Sequence, residues 1–61
     1  MTVYSRLHVF TTLTGLELER RDIEFEQAKS VALRLARRRC ERILVWNGRH
    51  EIIWTERAPW D

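Results

Sequence analysis

The residues of this sequence best suited to binding chemistry are arginines that cluster near the end of one predicted helix. Within nine residues there are five of them, opposed only by Glu41: Arg34, Arg37, Arg38, Arg39 and Arg42. A guanidinium group can form two parallel hydrogen bonds to a phosphate or a carboxylate, so the cluster could bind an anion or an acidic surface. The same run is also compatible with a solvated helix face whose charges suit the carboxyl end of the helix. Both interpretations remain open, and the predicted contact residues are Arg34, Arg37, Arg38 and Arg42.

The other reactive side chains show no pattern of a reaction centre. His8 and His50 have no cysteine or carboxylate at the spacing of metal ligands, and Cys40 is the only cysteine. A phosphate-binding loop needs closely spaced glycines, whereas Gly15 and Gly48 stand alone in separate turns. We therefore predict a non-enzymatic protein with no cofactor and no metal site, in which the Cys40 thiol is partly buried.

Hydrophobic periodicity predicts a β-hairpin in the first part of the chain. Apolar and polar residues alternate over residues 3–13, Thr14 and Gly15 favour a turn, and a second strand follows over residues 16–25. The apolar positions of this second strand change parity near Arg20 and Arg21, which predicts a β-bulge there.

The period then becomes helical over residues 26–40, with Glu24 at the N-cap position and Gln27 in the N3 position. The buried helix face is predicted to consist of Ala28, Val31, Ala32, Leu35 and Ala36. A second hairpin follows, with strands over residues 43–46 and 51–55 around Asn47 and Gly48, and with a loop of either two or four residues. Residues 57–61 are predicted to form an extended tail.

The predicted element order is ββαββ, which indicates an α+β fold: a four-stranded antiparallel sheet with one helix packed on one face. A chain of 61 residues allows one domain, residues 1–61. Its composition, 44% hydrophobic and 33% charged with a net charge of +2, is typical of a folded domain rather than a disordered segment. No run approaches the roughly 20 apolar residues of a membrane span, and we expect a cytoplasmic protein with no membrane partner.

A single helix covers only one face of a four-stranded sheet, so strand alternation divides the strand residues between a covered and an open face. The residues predicted to face the helix are Val3, Leu7, Val9, Leu13, Leu18, Ile23, Ile43, Val45, Ile52 and Trp54. Those predicted on the open face are Tyr4, Arg6, His8, Phe10, Glu17, Glu19, Leu44, Trp46, Glu51 and Ile53. Half of the second set is large and apolar, and a contiguous apolar group on an open sheet usually marks an interface. The predicted contact residues of this face are Tyr4, Arg6, Phe10, Trp46 and Ile53.

Several short runs carry a resemblance to known small proteins: Phe25-Glu26-Gln27-Ala28, Leu33-Arg34-Leu35-Ala36, Ile43-Leu44-Val45 and Asn47-Gly48. In this order they look like small bacterial ββαββ domains of unknown function. The same stretch resembles small phage-encoded anti-CRISPR proteins that act on type I surveillance complexes, with Cys40 as a thiol at the helix end. This resemblance implies a stoichiometric inhibitor that binds a Cas subunit, where guide or target nucleic acid normally lies. The arginine run and the tryptophans Trp46 and Trp54 depart from that pattern.

We therefore expect a small binding module, of the anti-CRISPR inhibitor type, that occupies a surface of a larger protein or nucleoprotein complex. One alternative is direct nucleic-acid binding through the arginine cluster and the sheet aromatics, although Glu17, Glu19 and Glu51 on the predicted open face would repel phosphates. The other alternative is a homodimer with a structural role.

Overall fold

The predicted order of elements is confirmed by a computed structural model, which describes residues 6–60. The elements are β1 (Leu7–Thr12), β2 (Glu17–Asp22), α1 (Phe25–Arg39), β3 (Ile43–Trp46) and β4 (Ile52–Glu56). The strands form one antiparallel sheet in the order β2-β1-β3-β4, with α1 packed on one face. The fold is therefore the small α+β fold with ββαββ order. Within residues 6–60, no helix is both long and apolar enough to cross a membrane.

Helix α1 begins and ends with local hydrogen bonds that its sequence supplies. At the start, the backbone N–H of Glu24 donates to Oε1 of Gln27 at 3.2 Å, as the capping residues predict. At the end, Cys40 adopts a left-handed conformation with a φ of 55°, and the N–H of Glu41 donates to the carbonyl of Ala36 at 3.3 Å. This geometry satisfies the last carbonyls and turns the chain toward β3. The buried face of α1 contains the five predicted residues.

The hydrophobic core lies between α1 and the central strands. Its largest fully buried side chains are Phe10, Ile43 and Val45, and Leu18 and Ile23 pack against its border. Because Phe10 pairs with Val45 across β1 and β3, both side chains point toward the helix.

The predicted face assignment of β1 is therefore wrong. His8 and Phe10 lie on the helix side and are buried, whereas Leu7 and Val9 lie on the open side and are half-buried. The odd-numbered and the even-numbered positions of β1 both include apolar side chains. Alternation alone therefore could not determine which set faces the helix. The pairing with β3 decides the matter, because a shift of one residue would place Val9 opposite Val45 and expose the larger Phe10 ring.

The sheet irregularities also differ from the prediction. In the β1–β2 pair the register shifts between Phe10 and Thr11, opposite Leu18, and not at the predicted Arg20-Arg21 position. Leu18 thereby packs against the core, and Glu19 pairs with Phe10 instead of lying on the open face.

A second shift, in the β3–β4 pair, places Ile52 opposite Trp46. Ile52 is therefore on the open face and 50% exposed, although it was predicted to face the helix.

Three further expectations, on the loop length, on Leu13 and Glu51 and on the chain after β4, differ from the structure. Each hairpin closes through a three-residue loop, residues 13–15 and 48–50, so the second loop has neither two nor four residues. Leu13 and Glu51 consequently lie in or beside loops rather than on a sheet face. The chain after β4 does not simply extend away, since Ala58 is only 5% exposed.

Candidate functional site

Three arginines form one exposed patch on the last turns of α1: Arg34, Arg37 and Arg38, which we call the arginine face. Residues three and four apart on a helix are neighbours, with Cβ atoms about 5–6 Å apart, so the three side chains share one side. This side points away from the core, because the opposite side of the same turns carries the buried Leu35 and Ala36. The arginine face thus presents three guanidinium groups directly to solvent.

The arginine face differs from most other cationic side chains of the domain in lacking acidic partners. Among residues 6–60, none of its three guanidinium groups forms an ion pair. The cations with ion pairs among the described residues include Arg6, Arg20, Arg21, Lys29 and Arg39. Like charges at this helical spacing repel one another, although their position at the carboxyl end of α1 offsets part of that cost. An anion bound here would neutralise charge that the described protein leaves uncompensated.

The remaining two residues of the arginine cluster have other surroundings. Arg39 donates from Nε to Oε2 of Glu41 at 2.6 Å, so its charge is compensated locally. Arg42 is half-buried and lines a shallow groove of about 290 Å³ together with Leu13, Glu41, Ala58 and Trp60. Of the predicted cluster residues, Arg42 therefore belongs to this end groove rather than to the arginine face.

The open face of the sheet carries an apolar row that crosses three strands, composed of Val9, Trp46, Ile52 and Ile53. Val9 pairs with Trp46, and Trp46 pairs with Ile52 across the bulge, so these side chains are neighbours. Ile53 is 36% exposed and alternates with Trp54, whose side chain lies on the helix side. The indole N–H of Trp46 donates to Oγ1 of Thr11 at 2.8 Å, which holds the ring against β1.

Charged side chains border the apolar row along the β2 edge. Arg20 donates to both carboxylate oxygens of Glu17, at 3.2 and 3.0 Å. This side-chain hydrogen bonding, assisted by the attraction between the charges, lowers the pKa of Glu17 and raises that of Arg20. Predicted contact residue Arg6 lies just before β1 and pairs with Asp22 at 3.3 Å and Glu24 at 3.1 Å. These two ion pairs connect the start of β1 to the end of β2 and to the start of α1.

The predicted contact residues do not form one surface. The arginine face lies on the outer side of the helix layer, whereas Trp46 and Ile53 lie on the opposite, open face of the sheet. Phe10 is fully buried in the core, so its predicted place on the open face is wrong. Tyr4 lies outside the described residues. The arginine face and the open face of the sheet are thus two separate surfaces.

An aromatic cluster that sequence reasoning missed lies where α1 begins. Phe25 and Trp54 meet edge to face with ring centroids 6.0 Å apart. The Nζ atom of Lys29 lies 5.2 Å from the Phe25 centroid and 4.8 Å from that of Trp54, within the range of cation–π attraction. The signal available in the sequence was that Phe25 and Lys29 are one helical turn apart and that Lys29 is the only lysine. These contacts hold the start of α1 against β4, and the Phe25 and Trp54 side chains remain about one-third exposed.

The histidines belong to neither surface, whereas the Cys40 thiol lies at the end of α1 and donates to the backbone carbonyl of Arg37 at 3.7 Å. His8 is buried and its Nδ1 lies 2.9 Å from the carbonyl oxygen of Arg6. Cys40 is exposed, in contrast to the predicted partial burial. Over residues 6–60, no three His, Cys, Asp or Glu side chains are grouped so that they could hold a metal ion.

Comparisons with known protein families, with curated proteins and with solved structures found no match to this chain.

Proposed function

We propose that this protein is a non-enzymatic binding module that docks onto a larger protein through the open face of its sheet. The observation that carries the proposal is the apolar row, in which Ile52 and Ile53 are 50% and 36% exposed beside Trp46. A tryptophan held in place by a hydrogen bond and surrounded by aliphatic side chains has the character of an interface anchor.

The size of the open face favours a larger partner over a second copy stacked face to face. Four strands about 4.8 Å apart and five residues long cover roughly 300 Å². Two such faces together bury about half of the roughly 1,200 Å² that a specific interface needs. A larger partner could also contact the loops and strand edges around the open face, beyond the area of the four strands, and so reach the required area.

We extend the proposal to inhibition by occupancy, of the anti-CRISPR type that the sequence resembles. Docking of such a domain by one face would inhibit by covering a surface that another molecule needs. The proposed partner is therefore a protein subunit of a nucleoprotein complex, and a type I surveillance complex is the specific candidate.

The test compares two substitutions at equally exposed aliphatic residues on opposite sides of the molecule. Ile53→Asp places a charge in the apolar row, whereas Leu33→Asp, at 39% exposure on the helix, is the matched control. Binding to a purified type I surveillance complex is measured by surface plasmon resonance. We expect Ile53→Asp to weaken binding at least tenfold and Leu33→Asp to preserve it, since a buried charge without a partner is costly.

Two outcomes would contradict this proposal. Equal binding by both variants would exclude the open face as the docking surface. No binding of the unaltered protein to the complex would exclude the inhibitory role assigned here.

A second candidate function, a structural homodimer, is favoured by the contrast between the two sheet edges. Five of the six residues of β2 are charged, which protects that edge against pairing. In contrast, Ile52, Ile53, Trp54 and Thr55 of β4 are uncharged and all exposed. Antiparallel pairing of two β4 strands would extend the sheet across a two-fold axis.

Sedimentation at micromolar concentration tests this candidate, with Thr55→Pro as the variant that removes a backbone donor from the edge strand. A dimer that Thr55→Pro converts to a folded monomer supports it. A monomeric unaltered protein excludes it.

A further inference from the structure

We propose that the arginine face and Trp60, which lie at the same end of the molecule, form a binding site for single-stranded nucleic acid. This inference goes beyond the proposed docking function, because it concerns the helix layer and one end of the sheet rather than the open face. The phosphodiester backbone would contact the guanidinium groups of the arginine face, and a base would stack on the Trp60 indole.

The charge distribution favours a polyanion as the ligand of the arginine face. No acidic residue occurs between Glu26 and Glu41, whereas the same stretch contains four arginines and Lys29. Lys29 is paired with Glu26 and Arg39 with Glu41, so the compensated charges lie on either side of the arginine face. Three adjacent guanidinium groups without acidic partners among the described residues match successive phosphates of one strand.

Trp60 lies at the end of the molecule where the helix also finishes. After Arg39, the chain passes through Glu41 and Arg42 into β3, and these two residues line the end groove with Trp60. The Trp60 side chain is 67% exposed, and so is that of Leu13 on the same groove. An exposed indole at the same end of the molecule as the arginine face can provide the stacking platform that proteins binding single strands use.

The exposed Trp60 indole favours single-stranded nucleic acid over other anionic polymers as the ligand. An acidic peptide would satisfy the arginine face but has no base to place on the indole. A duplex keeps its bases stacked on one another, so its phosphates could bind while Trp60 remained unused. The combination of the arginine face with an exposed indole therefore fits an unpaired strand best.

The experiment measures binding of a fluorescent oligothymidylate of about 12 nucleotides by anisotropy, at salt concentrations between about 50 and 200 mM. Three phosphate contacts predict a slope of about −2 in a plot of log K against log salt concentration. The triple variant Arg34→Gln/Arg37→Gln/Arg38→Gln should reduce this slope to near zero. The control, Arg20→Gln/Arg21→Gln/Arg49→Gln, has the same net charge and should retain the slope.

Trp60 is tested at constant charge. Trp60→Ala should weaken binding about tenfold with an unchanged salt slope, because it removes stacking but no cation. Trp60→Phe should retain most of the affinity, because an aromatic face remains. Circular dichroism of each variant establishes that it is folded.

Several results would overturn this proposal: equal slopes for the two triple variants, no effect of Trp60→Ala, or equally tight binding of a duplex or of polyglutamate. The Ile53→Asp variant should bind the oligonucleotide normally, because it alters the other surface. Failure of the docking proposal and failure of this one are therefore distinguishable.

Discussion

Gly15 and His50 occupy the same position in two hairpin loops with matching hydrogen bonds. The N–H of Gly15 donates to the carbonyl of Thr12 at 3.0 Å, and the N–H of His50 donates to the carbonyl of Asn47 at 3.3 Å. Both are the third residue of a three-residue loop, and both have positive φ angles, 99° for Gly15 and 62° for His50. Glycine adopts positive φ angles without strain, so Gly15 suits its loop, whereas His50 is disfavoured at the same position of the second loop.

The equivalence extends to the side chains that begin each loop. Oγ1 of Thr12 accepts from the N–H of Leu16 at 3.1 Å, and Oδ1 of Asn47 accepts from the N–H of Glu51 at 3.0 Å. Asn47 Oδ1 also accepts from the N–H of Arg49 at 2.8 Å. These bonds hold the second loop in shape and impose the left-handed conformation on His50 despite its cost.

Replacing His50 by glycine should therefore stabilise the protein. A left-handed conformation costs an L-residue about 1–2 kcal/mol, and glycine avoids this strain. The greater conformational freedom of glycine in the unfolded state offsets part of the resulting stabilisation. We expect His50→Gly to raise the free energy of unfolding by about 0.5–1 kcal/mol, measured by urea denaturation. His50→Ala is the control and should give no such gain, since alanine pays the same conformational cost. Equal stabilisation by both variants would contradict this account of the loop.

The opposite change in the first loop should destabilise it. A Cβ atom added at Gly15 would meet no other atom within 4 Å, so Gly15→Ala introduces backbone strain without a steric clash. We expect a loss of about 1 kcal/mol in the free energy of unfolding, because alanine is disfavoured at this φ. The measurement is again urea denaturation. An unchanged midpoint would show that the loop relaxes to another turn type.

Phe10 and Val9 are adjacent in β1 but should respond differently to truncation. Phe10 is fully buried against α1, so Phe10→Ala should cost about 3–5 kcal/mol and leave a domain of this size largely unfolded. Val9 is half-buried on the open face, and Val9→Ala should cost about 1 kcal/mol or less. Thermal denaturation followed by circular dichroism distinguishes the two. A folded and stable Phe10→Ala variant would contradict the observed register of β1 and β3.

The elements of this fold were predictable because each has a strong local signal. The helix shows apolar residues at i, i+3 and i+4, and its N-cap bond from Glu24 to Gln27 is visible as a residue spacing. Strand β3 was predicted with its observed bounds, residues 43–46, because a continuous apolar run ends at the Asn47-Gly48 turn signal. These features depend on contacts within a few residues.

The faces of the strands were not predictable, because they depend on pairing between distant segments. Leu7 and Val9 make one parity of β1 apolar, while Phe10 makes the other so, and only the register with Val45 resolves the choice. The candidate site has the same limit. Phe10 was a predicted contact residue of the open face, and only its pairing with Val45 places it in the core.

The bond between Glu17 and Arg20 should produce a measurable pH dependence at the β2 edge. Because Arg20 holds the carboxylate with two hydrogen bonds, the pKa of Glu17 in the folded protein lies below its ordinary value of 4.5. The bond therefore stabilises the fold fully above pH 4.5, and this contribution is lost as the pH falls through the lowered pKa. Since Glu17 is solvent-exposed, the titration of its carboxyl group is a more sensitive measurement than stability.

We expect an NMR titration of the side-chain carboxyl carbons to show a lowered pKa for Glu17. Arg20→Ala should return it toward 4.5, because the variant removes both the hydrogen bonds and the attraction of the positive charge. Arg21→Ala is the control: it removes the same charge from the neighbouring residue, whose partner is Glu19, and should leave the Glu17 pKa low. If both variants raised the pKa of Glu17 equally, the general positive field of β2 would be responsible, and the specific bond to Arg20 would be excluded as the cause.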